Sequence, residues 1–460
     1  MKWALICAVL IGAAGASAPN QQLRELVASG ALPDLRWPNF TRIQPDVARF
    51  YELNGYQLAW VRGGSPTPQA QALIRVLQNA ALKGLDPQDY QFAAGAQGER
   101  FDLALTVSAM RYIWDVSSGK VDPAMFSFGL QFNQKKCDLV EAVRTLTSAS
   151  NVAAELDRLE PPYEGYWRTE KALAKYLERP QENAQQVRKL QLVLERWRWV
   201  PHSFSRPPVV VNIPEFRLRA YDDQYRPELE MKVVVGKAYR HKTPVFSNQM
   251  TYVIFRPYWE VPLSIQRAEL VPKIAKDPDY LAKNEYEIVD TRRQVVPSGN
   301  ITAEMLAELR SGQLSIRQIP GDKNALGHIK FLFPNEYNVY LHGTPAKSLF
   351  LKSRRDFSHG CIRVEKPEEL ALWVLRGVPG WDLDHIREAE AGADSRRVNL
   401  DKPIPVLIVY GTAVVREGGQ VEFFDDIYGH DAALADVLDH GYPYSGWQPT
   451  SAARGPRRRE

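Results

Sequence analysis

Two short stretches of the chain hold residue types that can do covalent chemistry together. Tyr340-Leu341-His342-Gly343-Thr344 carries one histidine, and Ser358-His359-Gly360-Cys361-Ile362-Arg363 carries a second, next to a cysteine and an arginine. His342 precedes Cys361 by 19 residues, enough for two separate elements to return and face each other. A thiol is a poor nucleophile until it loses its proton, and a nearby imidazole both takes that proton and stabilises the thiolate. Gly360 lets the backbone turn tightly before Cys361, so the N–H groups of Gly360 and Cys361, with His359 as a third candidate, can point at one developing oxyanion. This is equipment for acyl transfer through a thioester.

The roles are assigned by position. Cys361 is the candidate nucleophile, against the alternative of an inert buried thiol. His342 is the candidate general base. His359 competes with it, because residues two apart on an extended segment share a face. Arg363 lies two positions past the cysteine and offers a fixed fork for a carboxylate; the alternative is a solvent-exposed ion pair. Ser358 and Tyr340 are candidate walls of a substrate groove, with a structural role equally open. Neither motif has a carboxylate beside it to orient the base. The other histidines show no metal-ligand spacing, and no phosphate-cradling or dinucleotide motif is present. The eleven tryptophans fall mostly on helical stripes or strands and read as core.

Elements able to position these residues follow from periodicity. From Gln21 to about Val200 the pattern is helical, with apolar residues at helix spacing over Asp46–Leu53, Pro68–Lys83, Phe101–Ser118, Asp138–Leu146, Tyr166–Leu177 and Val187–Trp199. Around Pro207 the period changes to strand: Val209–Ile213, Arg217–Tyr221, Glu230–Val235 and Thr251–Phe255. An excursion through about Leu314 follows, with helical Ala268–Ala275 and Ala303–Leu309; its Tyr258 and Trp259 fit a site or a core equally well. Strands resume at Ile329–Phe333 and Val339–Leu341, which delivers His342 at a strand end. A helix is expected over Pro367–Leu375, then strands at Val406–Tyr410 and Ala413–Val415 with a Gly418-Gly419 hairpin.

At 460 residues the chain holds two or three domains, and 45% hydrophobic with 24% charged residues is ordinary for a globular protein. Lys2, the apolar run Trp3–Ile11 and the Ala16-Ser17-Ala18 end read as a cleavable secretory signal, too short to span a bilayer. A formal charge of +4, or +3 without Lys2, does not suggest nucleic acid. Two cysteines then remain. In an oxidising compartment they invite a disulfide, but Cys137 reads better as a small buried residue at a helix start.

His342-Gly343-Thr344 followed by Ser358-His359-Gly360-Cys361-Ile362-Arg363-Val364 resembles the signature of L,D-transpeptidases with a YkuD-type catalytic domain. The blocks Tyr56–Trp60, Gly84–Tyr90 and Glu195–Trp199 resemble the helical scaffold ahead of that domain, and Asn324–Gly327 with Phe331–Asn335 its block before the histidine. The resemblance implies an α+β multidomain protein. A signal (1–18) is followed by an all-helical scaffold (19–200), then a mostly β YkuD-like catalytic domain (206–435) with a capping insertion (257–314), and a disordered basic tail (442–460). In larger members a peptidoglycan-binding module interrupts the scaffold; here only a connector of about ten residues separates Tyr166–Leu177 from Val187–Trp199, too short for a domain.

The resemblance further implies that Cys361 attacks a donor tetrapeptide stem, that His342 is the base, and that the Gly343 carbonyl orients it. His359 becomes an auxiliary residue near the oxyanion site. Partners would be peptidoglycan stem peptides in the periplasm or cell envelope, with other cell-wall synthesis proteins as further candidates and no metal or cofactor. Carbapenems would acylate the same thiol. An L,D-carboxypeptidase, a protein-anchoring transpeptidase and a non-catalytic wall-binding scaffold are the alternatives.

Overall fold

The computed structural model describes residues 20–130, 137–277 and 279–440, so the expected signal and tail lie outside the described residues. The described chain falls into two compact units, one of residues 20–118 and 137–160, the other of residues 119–130 and 161–440.

The first unit is helical. Its helices are Gln21–Ser29, Gln44–Leu53, Pro68–Gln78, Gly98–Ser118, Leu139–Ser148 and Val152–Asp157. Their starts are set by side chains that take otherwise orphaned amides: Thr67 accepts from Ala70 N with Pro68 opening the helix, and Asp138 accepts from Val140 N and Glu141 N. Gly98–Ser118 is buried almost all round from Asp102 to Ser117, as befits a central helix enclosed by the others. Cys137 lies just ahead of the Asp138 cap and packs against this core.

The second unit is built on strands. Among the described residues nine form one sheet: β1 (Val209–Asn212), β2 (Arg217–Tyr221), β3 (Pro227–Gly236), β4 (Phe246–Phe255), β5 (Ile329–Leu332), β6 (Leu341–His342), β7 (Asp356–Ser358), β8 (Ile362–Val364) and β9 (Arg396–Val409). Their order is β7-β3-β8-β6-β5-β4-β9-β1-β2, and β2 also pairs with β3. That extra pairing closes eight strands into a ring, with β7 added alongside β3. Alternating β-branched residues such as Val209, Val211, Val233 and Val235 fill the interior. The expected Val406–Tyr410 strand is longer than its sequence suggested. A register shift between Asn399 and Ile404 accommodates Pro403 within the strand.

The helices Glu164–Tyr176 and Ala184–Arg198 belong to this second unit, a correction to the expected boundary near residue 200. Tyr166, Leu173, Leu190 and Leu194 pack with Ala413 and Val415 of a short hairpin. A helical stripe shows that a face is buried but not what buries it. Residues 177–183 join the two helices.

The insertion between β4 and β5 has its own core, in which Val271, Ile274, Ile288, Leu309 and Ile316 are buried together. Four short strands, Trp259–Glu260, Tyr286–Val289, Val295–Val296 and Ser315–Gln318, form its sheet. Its leading helix spans Leu263 to Lys276 with a π turn at Gln266–Leu270. The buried Gln266 amide donates to Leu309 O (2.7 Å) and Leu314 O (3.0 Å) and accepts from Ile316 N (2.8 Å), fixing helix to sheet. Two helices, Leu383–Ala391 and His430–Asp439, were not foreseen.

Candidate active site

The site is assembled by strand register. Between the parallel strands β6 and β8, Leu341 faces Ile362 and His342 faces Arg363; Ile362 N donates to Tyr340 O (3.1 Å). Between β6 and β5, Lys330 lies opposite His342. Residues opposite each other, and residues two apart, share a face. Tyr340, His342, Cys361, Arg363 and Lys330 therefore stand on one face of three adjacent strands. Their contacts agree: the Tyr340 and His342 rings are 5.6 Å apart, the Lys330 ammonium lies 3.9 Å from the centre of the Tyr340 ring, and Tyr340 and Lys330 both act on the Cys361 thiol.

Cys361 sits where β8 begins, partly exposed. Its thiol donates to Asn338 O at 3.6 Å. Asn338 adopts φ +53°, and Asn335 holds that turn by donating to Phe333 O (2.6 Å) and Val339 O (2.7 Å). Burial pushes the Cys361 thiol up from its ordinary pKa, while Tyr340, Lys330 and Arg363 pull it back.

His342 is buried, and its Nδ1 lies 2.6 Å from Gly343 O, the carbonyl expected to orient it. Nδ1–H donates to that carbonyl, and a fixed donor at Nδ1 leaves Nε2 as the basic nitrogen. Burial first, then the Arg363 charge, push the imidazole down to about 3. The resting pair at neutral pH is therefore thiol and neutral imidazole. Cys361 and His342 are diagonal neighbours across the β6–β8 pair.

The turn before the cysteine is held from below. Gly360 has φ +116°, strained for any residue with a Cβ, and its carbonyl accepts from Thr243 Oγ1 (2.7 Å). Thr243 Oγ1 also accepts from Gly236 N (2.9 Å), and a Cβ on Gly236 would fall 1.8 Å from His241 O. Three expectations change here. The Gly360 N–H is not free for an oxyanion, because it donates to Ser358 Oγ (3.1 Å). Ser358 is no groove wall: it is buried and its hydroxyl also donates to Cys361 O (2.6 Å), strapping the turn. His359 does not share the cysteine's face, because the Gly360 conformation breaks the alternation. Its Nε2 lies 2.6 Å from Glu269 Oε1 on the π turn of the insertion, and its ring is 4.8 Å from that of His241. The Cys361 N–H has no hydrogen-bond partner among the described residues and remains available to an oxyanion.

Arg363 points along the same face, and its Nε is buried without a hydrogen-bond partner. Leaving a buried donor unmatched costs roughly 1–3 kcal/mol, more for a charged one, so this position is built to meet an acceptor. The insertion also reaches the site, since Trp259 acts on the Tyr340 hydroxyl and Glu260 on the Lys330 ammonium. Sequence reasoning missed Lys330, Glu269 and Asn338, and left Trp259 open between site and core. Lys330 alone had a visible signal, a lysine inside the apolar strand Ile329–Phe333. No group of three or more His, Cys, Asp or Glu able to hold a metal ion occurs among the described residues. Nor is any described helix long and apolar enough to cross a membrane.

Comparison with known proteins fits this geometry. Residues 207–384 match the L,D-transpeptidase catalytic domain of the YkuD family, and residues 45–173 match the Scaffold domain. The chain therefore carries a YkuD-type L,D-transpeptidase catalytic domain, mostly β, with a helical scaffold domain ahead of it. A protein of Haemophilus influenzae (strain Rd) named "Putative L,D-transpeptidase" is 33% identical over 248 residues, which are 54% of this chain and 49% of that protein. The matched region thus spans about half the length of that curated relative.

Proposed function

We propose that this protein is a peptidoglycan L,D-transpeptidase that forms 3→3 cross-links through a thioester on Cys361, working in the cell envelope after removal of residues 1–18. The observation that carries the reading is the single face holding Cys361, His342, Tyr340 and Arg363 beside an unoccupied backbone amide. His342 takes the thiol proton as the sulfur attacks the carbonyl of the L-centre of the third residue in a donor tetrapeptide stem. The oxyanion that forms accepts from the Cys361 N–H. The C–N bond to D-Ala then breaks, the leaving amine receives the proton from His342, and a thioester remains. An amine at the D-centre of a second stem's third residue attacks the thioester and gives its proton to His342. The C–S bond breaks and the thiol is restored. Arg363 meets a stem carboxylate. The same acylation extends to carbapenems.

Mass spectrometry of the purified protein with tetrapeptide muropeptides tests this. The expected product is a dimer with the summed mass of the two stems less one D-Ala, absent with Cys361→Ala. A trimmed monomer alone would make the protein an L,D-carboxypeptidase. An unchanged substrate with wild-type protein would leave a non-catalytic wall-binding role.

A further inference from the structure

The face that carries the nucleophile holds more positive charge than its proposed chemistry has used. Lys330 projects from β5 opposite His342 and is half-buried. Its ammonium rests 3.9 Å from the centre of the Tyr340 ring, and the β6–β8 register places Tyr340 beside Cys361. Most lysines in such a place are paired. Among the described residues Lys330 has no carboxylate within ion-pairing distance, and Glu260 of the insertion acts on it only from further away. An aromatic ring is thus what holds a desolvated ammonium beside the sulfur, through the attraction between a cation and a π face.

The charged and titratable groups facing Cys361 can be named element by element. Lys330 comes from β5, Tyr340 and His342 from β6, and Arg363 from β8, while Glu260 acts from the insertion on Lys330. Of these, Lys330 and Arg363 are the fixed positive charges acting on the sulfur. Arg363 has a buried Nε without a partner and so has a separate use in meeting a carboxylate. Lys330 has no other evident task, and a strand interior is an expensive place for a lysine without one.

We propose that Lys330 is the electrostatic partner of the nucleophile: seated on the Tyr340 ring, its ammonium supplies the standing positive charge that stabilises the Cys361 thiolate. This rests on Cys361 being the reactive thiol but not on the identity of the acyl acceptor. It gives Tyr340 the job of carrying the cation on its ring. It also accounts for a cysteine–histidine pair in which the imidazole is not the resting counter-ion, since its own charged form is disfavoured by the same two cations.

The test reads the thiol directly. Iodoacetamide alkylation of Cys361 is followed by peptide mass spectrometry against pH in the full-length protein, on a Cys137→Ala background. Lys330→Met is expected to move the alkylation midpoint up by about one pH unit and slow the reaction roughly tenfold at pH 7.5; Lys330→Arg, which keeps the charge, is expected to restore most of it. Lys330→Gln serves as a second neutral variant if Lys330→Met does not fold. A midpoint unchanged in a folded neutral variant overturns the proposal. An equal shift in Lys330→Arg also overturns it, because shape rather than charge would then be responsible. The assay needs no stem peptide, so a protein that fails to cross-link muropeptides can still pass or fail it.

Discussion

The two units treat their buried polar groups in opposite ways. In the helical unit Asp102 is enclosed on the central helix, yet it accepts from Tyr51 Oη (2.8 Å) and Trp60 N (2.7 Å), and Thr106 accepts from Trp60 Nε1 (2.9 Å). Arg111 likewise donates to the carbonyls of Trp37 (2.9 Å) and Asn39 (2.8 Å). Each of these groups answers another within the fold, which makes the network a device for specifying one packing. On the catalytic face the groups do not close on one another. The Arg363 Nε is unmatched, Lys330 leans on a ring, and His342 is held neutral beside a thiol. A polar network that satisfies itself is structure; one left open toward a groove awaits a visitor.

Substitutions sharpen this contrast. The largest effect is expected for His342→Gln, which removes the proton carrier while keeping a polar side chain: turnover should fall by about 10²–10⁴-fold with the fold intact, measured by muropeptide product formation and circular dichroism. Loss of less than tenfold would break the assignment of the base to His342. In the helical unit Asp102→Ala should do the reverse. It leaves the Trp60 N–H without its acceptor, costing on the order of 1–3 kcal/mol, and the Tyr51 hydroxyl with Thr106 Oγ1 alone, and lowers the melting temperature while the Cys361 alkylation rate is unchanged. A change in alkylation would show that the closed network also serves the open one.

A smaller effect concerns acid. His342 is pushed down to about 3 in the folded protein, whereas an imidazole in the unfolded chain titrates near 6.5. Above about pH 6.5 both states are neutral and the full contribution is present. As pH falls from 6.5 toward 3 the unfolded chain takes up a proton that the folded chain refuses, and stability is lost. His430, buried and also pushed down to about 3, adds the same trend. The melting temperature should therefore fall less steeply between pH 6.5 and 5 in His342→Gln than in wild type, with the His430 part remaining in both. Parallel curves would contradict a neutral buried His342.

Much of the site was legible because its two motifs are short and local. His342 at a strand end and Cys361 after a tight glycine follow from residue type and spacing, while the Gly343 carbonyl on the ring followed from the family resemblance. What was not legible depends on register. A lysine twelve positions before His342 becomes its neighbour only because β5 and β6 pair as Lys330 opposite His342. The misreadings of His359 and Gly360 share one cause: a positive φ at Gly360 ends the two-residue alternation that the reading assumed. The boundary between units moved for a similar reason, since helices 164–176 and 184–198 have an ordinary apolar stripe and their partner, the hairpin at 413–423, lies far along the chain.

The central claim is that Cys361 carries the acyl group between donor and acceptor. Intact-mass measurement of protein mixed with a tetrapeptide donor, without acceptor and quenched in acid, tests it most directly. The account predicts an added mass equal to the donor less D-Ala, mapped to the peptide containing Cys361, released by an amine and absent in Cys361→Ala. Turnover of the donor with no adduct on that peptide, or an adduct on another residue, would contradict it.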